Sequence, residues 1–367
     1  MQERTLTERL IGYPTDTPDG ARACAGFVKG WLEARDIEVV EAVHNELPVL
    51  AATVGAEEGR TVVLHGHLDV VPGRPEQFQA RVDGDRLHGR GAYDMKGALA
   101  AMMCAVRDLA DQRTVRVHFV CVADEEADTV EARGSDYLVE QGYVGDFAIT
   151  GEPTDLLIGV QSKGVLALRI TVSGVAAHGS TPWLGDNAVL KAVDVFRQIG
   201  TMPFARESSE LFERPSISLA RVAGGDAFNK VPDCCVIEVD IRYLPGQDAR
   251  AILRAVEAIP DTRVEVVVHR EPAVVDRDDP YVRVLAEALG GEGGLEAISV
   301  GRDGASDIVS FLDAGVPGVE LGPVGGGHHG PEEWVSIASL ERYRKALVDF
   351  VTAIPQRLDT APRLRIA

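Results

Sequence analysis

The chain has 367 residues, 45% hydrophobic and 26% charged, with no run of about 18 apolar residues that could cross a bilayer. Its 37 Lys and Arg stand against 57 Asp and Glu, and the resulting net charge of −20 disfavours nucleic acid and anionic membranes as partners. The acids are dispersed and form no tail, the first residues lack the basic start and apolar run of a secretory signal, and the five cysteines form no C-x-x-C pair. Cys24, Cys104 and Cys121 lie inside apolar runs and read as reduced core thiols, so a soluble cytoplasmic protein of about two domains is expected.

Ala21, Cys24, Val28, Trp31 and Leu32 recur at helical spacing, which predicts a helix over 21–32 with Asp19 as its N-cap. Strands are predicted at 37–43, 49–54 and 61–64, a long helix at 96–109, and a further strand at 115–122. Strands alternating with helices indicate an α/β sheet. From Val165 the order changes to strand 165–172, helix 187–199, strands 216–222 and 235–242, helix 249–258 and strand 263–268, the β-α-β-β-α-β order of a ferredoxin-like unit. A Pro- and Asp-rich stretch at 271–280 follows, and elements resume at 281–289, 305–312, 316–321 and 338–351. The reading is a two-piece catalytic domain, 1–164 and 271–367, a mixed sheet flanked by helices, with an inserted α+β domain at 165–270.

Five clusters carry chemistry. In His65-Gly66-His67-Leu68-Asp69, at the end of an apolar run, a His and an Asp two apart project to one side of a strand. An imidazole there can bind a metal while Asp69 accepts the hydrogen bond of its other nitrogen, although His65 competes for the role and either histidine suits an ordinary turn. The glycine-rich Gly89–Gly97 fits neither the P-loop nor the dinucleotide fingerprint, so Asp94 is either a helix cap or a carboxylate bridging two cations. Asp124-Glu125-Glu126 follows the strand at 115–122; three acids usually make a solvated turn, yet ligands of open α/β sheets gather beyond such strand ends. Adjacent carboxylates there suit a metal ligand and a general base. Glu152 follows another apolar run, and His328-His329 sits in a glycine-rich loop; either could be plain surface, and no H-E-x-x-H helix is present. Taken together, His, Asp, Glu, Glu and His can supply two metals with one shared carboxylate.

In order, G-H-x-D-V-V-P, G-R-G-x-x-D-M-K-G, D-E-E, G-E-P-T and H-x-x-x-E-W-V resemble the acetylornithine deacetylase, succinyl-diaminopimelate desuccinylase and glutamate carboxypeptidase family of cocatalytic zinc hydrolases. The likeness runs from about Leu10 to Leu347. It implies Asp94 as bridging ligand, His67 and Glu152 on one metal, Glu126 and His329 on the other, and Glu125 as general base, to which the reading of the residues adds Asp69 as the catalytic partner orienting His67. His329 is preferred to His328 because Glu333, four residues on, matches the family spacing. The resemblance also implies a cis Asp94–Met95 peptide, and Glu rather than Asp at 152 looks like the deacylase and carboxypeptidase branch. In the inserted domain, His178 resembles the residue that reaches a partner subunit's active site to stabilise the oxyanion, and Asn229 and Arg242 resemble substrate contacts. Arg242 suits a bidentate grip on a carboxylate, with a structural ion pair as its alternative. Gly304-Ala305-Ser306-Asp307 resembles the substrate-carboxylate loop, Ala305 replacing the commoner Thr.

The implied activity is hydrolysis of the amide of an N-acyl amino acid, or of a C-terminal peptide bond, by a metal-bridging hydroxide that Glu125 generates. Zinc is the expected metal, with cobalt or manganese as alternatives, and a homodimer through the inserted domain is the expected assembly. An aminopeptidase or dipeptidase on the same scaffold, and a non-catalytic metal-binding relative, are the competing readings.

Overall fold

A computed structural model describes residues 2–126, 133–290 and 299–358. The chain divides into two compact units, one of Met1–Val160, Val275–Val300 and Ser306–Ala367, the other of Gln161–Val274 with Gly301–Ala305. The second unit therefore begins four residues before the sequence estimate, ends four after it, and takes in a five-residue segment from late in the chain.

In the larger unit, helix Pro18–Glu33 buries Ala21, Cys24, Ala25, Val28 and Leu32 along one stripe. Its cap is Thr17 and not Asp19: the Thr17 hydroxyl accepts the N–H of Gly20, and Pro18 takes the first helical position, where no N–H is needed. Strands Val39–His44, Leu47–Gly55, Arg116–Val122, Thr61–His67, Phe147–Thr150 and Gly318–Glu320 lie side by side in that order. Thr61–His67 is buried at every position and runs parallel to both neighbours, which is why its Val62-Val63-Leu64 run does not alternate with polar residues. Helix Gly97–Asp108 is buried from Gly97 to Val106 and packs between the sheet and helices Gln2–Ile11 and Ile337–Leu358. A small sheet of Arg81–Asp83, Arg86–His88, Trp334–Ser336 and Gly325–Gly326 was not expected, because strands of two or three residues show no periodicity.

The smaller unit is an antiparallel sheet in the order Ser216–Gly224, Cys234–Tyr243, Gly164–Ser173, Thr262–Arg270, with helices Ala188–Ile199 and Ala249–Glu257. Alternation places Leu166, Leu168, Ile170 and Val172 opposite Ile241, Val239, Ile237 and Cys235, and this face forms the core with the two helices. This is the ferredoxin-like strand order.

Candidate metal centre

Three parallel strands end at one edge of the large sheet. Thr61–His67 delivers His67, Arg116–Val122 leads into Glu125 and Glu126, and Phe147–Thr150 leads into Glu152. The close approach of these ends depends on glycine: a Cβ on Gly66 would lie 2.7 Å from the Met95 methyl, and one on Gly151 only 2.4 Å from it. Asp94 comes from the loop before helix Gly97–Asp108, through a cis Asp94–Met95 peptide. Its carboxylate does not cap that helix but faces the histidines.

His67 Nε2 lies 3.1 Å from Asp94 Oδ1 and 3.7 Å from Glu152 Oε1. His329 Nε2 lies 3.0 Å from Glu126 Oε1 and 3.2 Å from Asp94 Oδ2. His328, which the sequence set aside, approaches Asp94 more closely, with Nε2 2.5 Å from Oδ2. Ligand atoms fall into three overlapping groups, His67–Asp94–Glu152, Asp94–His328–His329 and His67–Glu125–Glu126, each within 4.8 Å. His65, two residues upstream of His67, is turned to other partners: its nitrogens lie 2.8 Å from the hydroxyls of Thr150 and Ser135.

The partner of His67 Nδ1 differs from the sequence expectation. It lies 3.0 Å from the backbone carbonyl of Asp69 and 3.5 Å from the Asp69 carboxylate, since the chain turns as soon as the strand ends. The Asp69 carboxylate instead accepts the N–H of Glu126 at 2.8 Å, tying the two loops together.

The electrostatics are those of a site built for cations. Burial pushes the Glu125 carboxyl up to about 8, with the nearby Asp307 adding to the effect. Burial and then the neighbouring Asp94 raise Glu152 well above the usual carboxylate range, and Glu152 Oε1 is buried without a hydrogen-bond partner. Burial opposes ionisation of Asp94 too, but hydrogen bonds from His328, His329 and His67 outweigh it and hold that group well below its ordinary value. His329 is raised to about 10 by its hydrogen bonds to Asp94 and Glu126. For His67 burial favours the neutral ring, yet the carboxylates of Asp69 and Asp94 lift it well above the ordinary value. Asp94 with the carboxylates of Glu126 and Glu152 and three imidazoles, one Glu152 oxygen lacking any partner, fits a pair of divalent ions.

Glu333 and Arg90 hold this arrangement, and neither was singled out as functional in the sequence. Glu333 is 2% exposed; one oxygen accepts the N–H groups of Tyr93 and Asp94, at 3.0 and 3.1 Å. The other accepts the N–H of Gly91 at 3.1 Å and Nη1 of Arg90 at 2.8 Å. Arg90 then donates to the carbonyl of His329 at 3.2 Å. The spacing His329 to Glu333 was the available signal.

Of the remaining sequence candidates, His178, Asn229, Arg242 and Gly304 belong to the smaller unit and Ser306 to the larger. His178 is exposed and faces Ser180, and the carbonyl of Asn229 accepts the N–H of Gly179 at 2.7 Å. Arg242 pairs through Nε with both oxygens of Asp240, each at 3.0 Å. Gly304 is surrounded by open space. Ser306 is buried, and its hydroxyl accepts the N–H of Ile308 at the start of helix Ile308–Asp313.

Known proteins share both sequence and fold with this chain. The family described as peptidase family M20/M25/M40 matches residues 63–353. A Mycobacterium tuberculosis protein provisionally named succinyl-diaminopimelate desuccinylase DapE is 32% identical over 327 residues, 87% of this chain and 88% of its own. The succinyl-diaminopimelate desuccinylase of Hahella chejuensis is 29% identical over 364 residues, 92% and 93% of the two chains. Among solved structures, the M20 family metallo-carboxypeptidase Sso-CP2 of Sulfolobus solfataricus superposes with TM-score 0.79 at 18% identity, covering 97% of this chain and 100% of its own. The sequence match spans most of the chain, including every residue that gathers around Asp94, and the chain therefore belongs to peptidase family M20/M25/M40.

Proposed function

We propose that the protein is a deacylase of N-acyl amino acids, of the desuccinylase or deacetylase kind, working with two divalent cations and Glu125 as general base. The observation that carries this reading is the gathering of His67, Glu126, Glu152 and His329 around Asp94, with Glu125 half-buried beside them. Relatives named as desuccinylases, 29–32% identical over about nine-tenths of the chain, support the acyl-amino-acid class.

In this reading His67 and Glu152 would hold one ion, Glu126 and His329 the other, and Asp94 would serve both. We propose zinc, with cobalt or manganese as substitutes, since carboxylate-rich sites accept several divalent ions. Bound there, such ions polarise an amide carbonyl and lower the pKa of water. Glu125 takes the proton of the attacking water and hands it to the leaving amine. Arg242 grips the substrate carboxylate, with Asn229, Gly304 and Ser306 as further contacts.

His178 serves as oxyanion donor from a second copy of the chain. Its Nδ1 lies 3.2 Å from the Ser180 N–H, which must donate, so Nε2 carries the proton, the tautomer a donor needs. A homodimer through the smaller unit is supported by exposed apolar side chains there, Trp183 at 75% and Leu184 at 70%. The cysteines, free in the structure, support a reducing cytoplasmic setting.

The experiment is a hydrolysis panel of N-succinyl, N-acetyl and N-formyl amino acids and dipeptides, run after chelation and again with metal restored. An N-acyl amino acid should dominate, and only with metal; preference for a dipeptide with a free amine would assign the protein to the peptidases instead. Glu125→Ala should lower kcat by about 10²–10⁴-fold with two metals still bound per chain. His178→Ala should lower kcat about a hundredfold or more, and unchanged turnover would remove His178 from the reaction.

A further inference from the structure

Behind Glu125 runs a largely buried polar chain. Arg133 stands just before helix Gly134–Glu140, and its Nη1 meets three oxygens. It donates to the backbone carbonyl of Glu125 at 2.8 Å, lies 3.1 Å from Glu125 Oε1, and donates to Asp307 Oδ1 at 2.9 Å. Asp307 is 1% exposed, and its Oδ2 accepts the hydroxyl of Ser135 at 2.5 Å. Ser135 in turn lies 2.8 Å from His65 Nε2, and His65 Nδ1 lies 2.8 Å from Thr150 Oγ1.

A charge pair withdrawn from water is favourable only when its geometry is good and its other atoms are satisfied. Here both Asp307 oxygens are satisfied, so the guanidinium is fixed in place before it meets Glu125. A hydrogen bond to the carbonyl and a charge contact with one carboxylate oxygen of the same residue constrain its backbone and its side-chain rotamer together. That leaves Oε2 as the oxygen available for a proton.

We propose that Arg133, anchored by Asp307, is a positioning residue for Glu125, clamping its carbonyl and Oε1 so that the second carboxylate oxygen is presented for proton transfer. This rests on the reading of Glu125 as general base. Asp307 accordingly belongs to the base-holding chain and not to the substrate loop that its Gly-Ala-Ser-Asp setting resembles.

The test measures kcat, KM and bound zinc per chain for R133K, R133Q and D307N on the substrate that the unaltered, metal-loaded protein hydrolyses best. R133Q and D307N should lose about ten- to a hundredfold in kcat, with KM within about threefold and zinc content unchanged, because a general base contributes roughly 10²–10⁴-fold and a misaimed one keeps part of that. R133K keeps the charge but lacks the planar fork, and should recover part of the loss. Adding R133Q to D307N should cost little more than either alone, as expected for one shared interaction. Normal kcat in R133Q, loss of zinc alongside activity, or a loss confined to KM would each overturn the clamp. If R133Q fails to fold, R133K and D307N decide by the same criteria. An unaltered protein that hydrolyses no amide with metal bound would sink the functional reading first, a result distinct from an active enzyme indifferent to Arg133.

Discussion

Four N–H donors converge on the carboxylate of Glu333, three of them from the backbone of the Asp94 loop and one from Arg90, which also holds the carbonyl of His329. Glu333→Gln replaces one acceptor oxygen by an NH2 group that faces donors, so the Asp94 loop and the His329 loop should loosen together. Zinc affinity, measured by titration calorimetry, should fall about ten- to a hundredfold, the usual cost of losing an outer support of a metal site. Unchanged affinity would show that the two loops hold their shape without Glu333. The family spacing from His329 pointed to Glu333, but composition alone does not separate it from Glu332; one is exposed and the other buried because only Glu333 points into the Asp94 loop. The same holds for His65 and His67, which share one face of a strand. His67 alone is the last residue of its strand, where Asp94 and Glu152 can reach it.

At the scale of elements, the centre depends on three parallel strands stopping together and on one side chain filling the space between their ends. Met95 packs against Gly66 and Gly151, so a methyl group on either strand end meets it. Gly151→Ala would also bring its Cβ to 2.9 Å from the Ala98 Cβ, a neighbour with no rotamer to yield. It should destabilise the fold by about 1–3 kcal/mol in a denaturant titration, and an unchanged midpoint would mean the strand end shifts freely. Strand and helix positions were readable from periodicity because the apolar runs are long. The Thr17 cap was misplaced by two residues, since Thr17 and Asp19 are both capping residues and Pro18 at the first helical position decides between them. Helix Gln2–Ile11 went unseen because only Leu6, Leu10 and Ile11 mark its apolar face.

For the whole molecule, a metal-dependent amide hydrolase by family and relatives, stability and metal loading are coupled through the same groups. Glu125, raised to about 8, and Glu152, raised well above its ordinary value, bind more protons folded than unfolded as pH rises past the ordinary carboxylate range. His329, raised to about 10, does the same above the ordinary histidine value. A folded state that binds more protons loses stability as pH rises, so the metal-free protein should melt at lower temperature at about pH 9 than at about pH 6. Asp94, held below its ordinary value, acts the other way only at acid pH, and Lys96, lowered by burial to about 8, opposes the trend only toward the alkaline end. Saturating zinc should raise the melting temperature most at the alkaline end, because the ions replace the protons that the carboxylates have lost. A melting temperature that climbs with pH in metal-free protein would contradict this account.

The sequence by itself determined the class of fold, since strand runs alternating with helices, and then the β-α-β-β-α-β order, are properties of neighbouring residues. It also determined which residue types stand at the ends of apolar runs, and through the family likeness what chemistry they suit. Only the tertiary structure decided which side chains meet. Glu333 and Asp94 are 239 positions apart, Arg133 and Asp307 are 174 apart, and no local pattern links either pair. Strand order and chain reversal bring such residues together, and their roles as supports come from burial and hydrogen-bond direction, which a linear pattern does not encode.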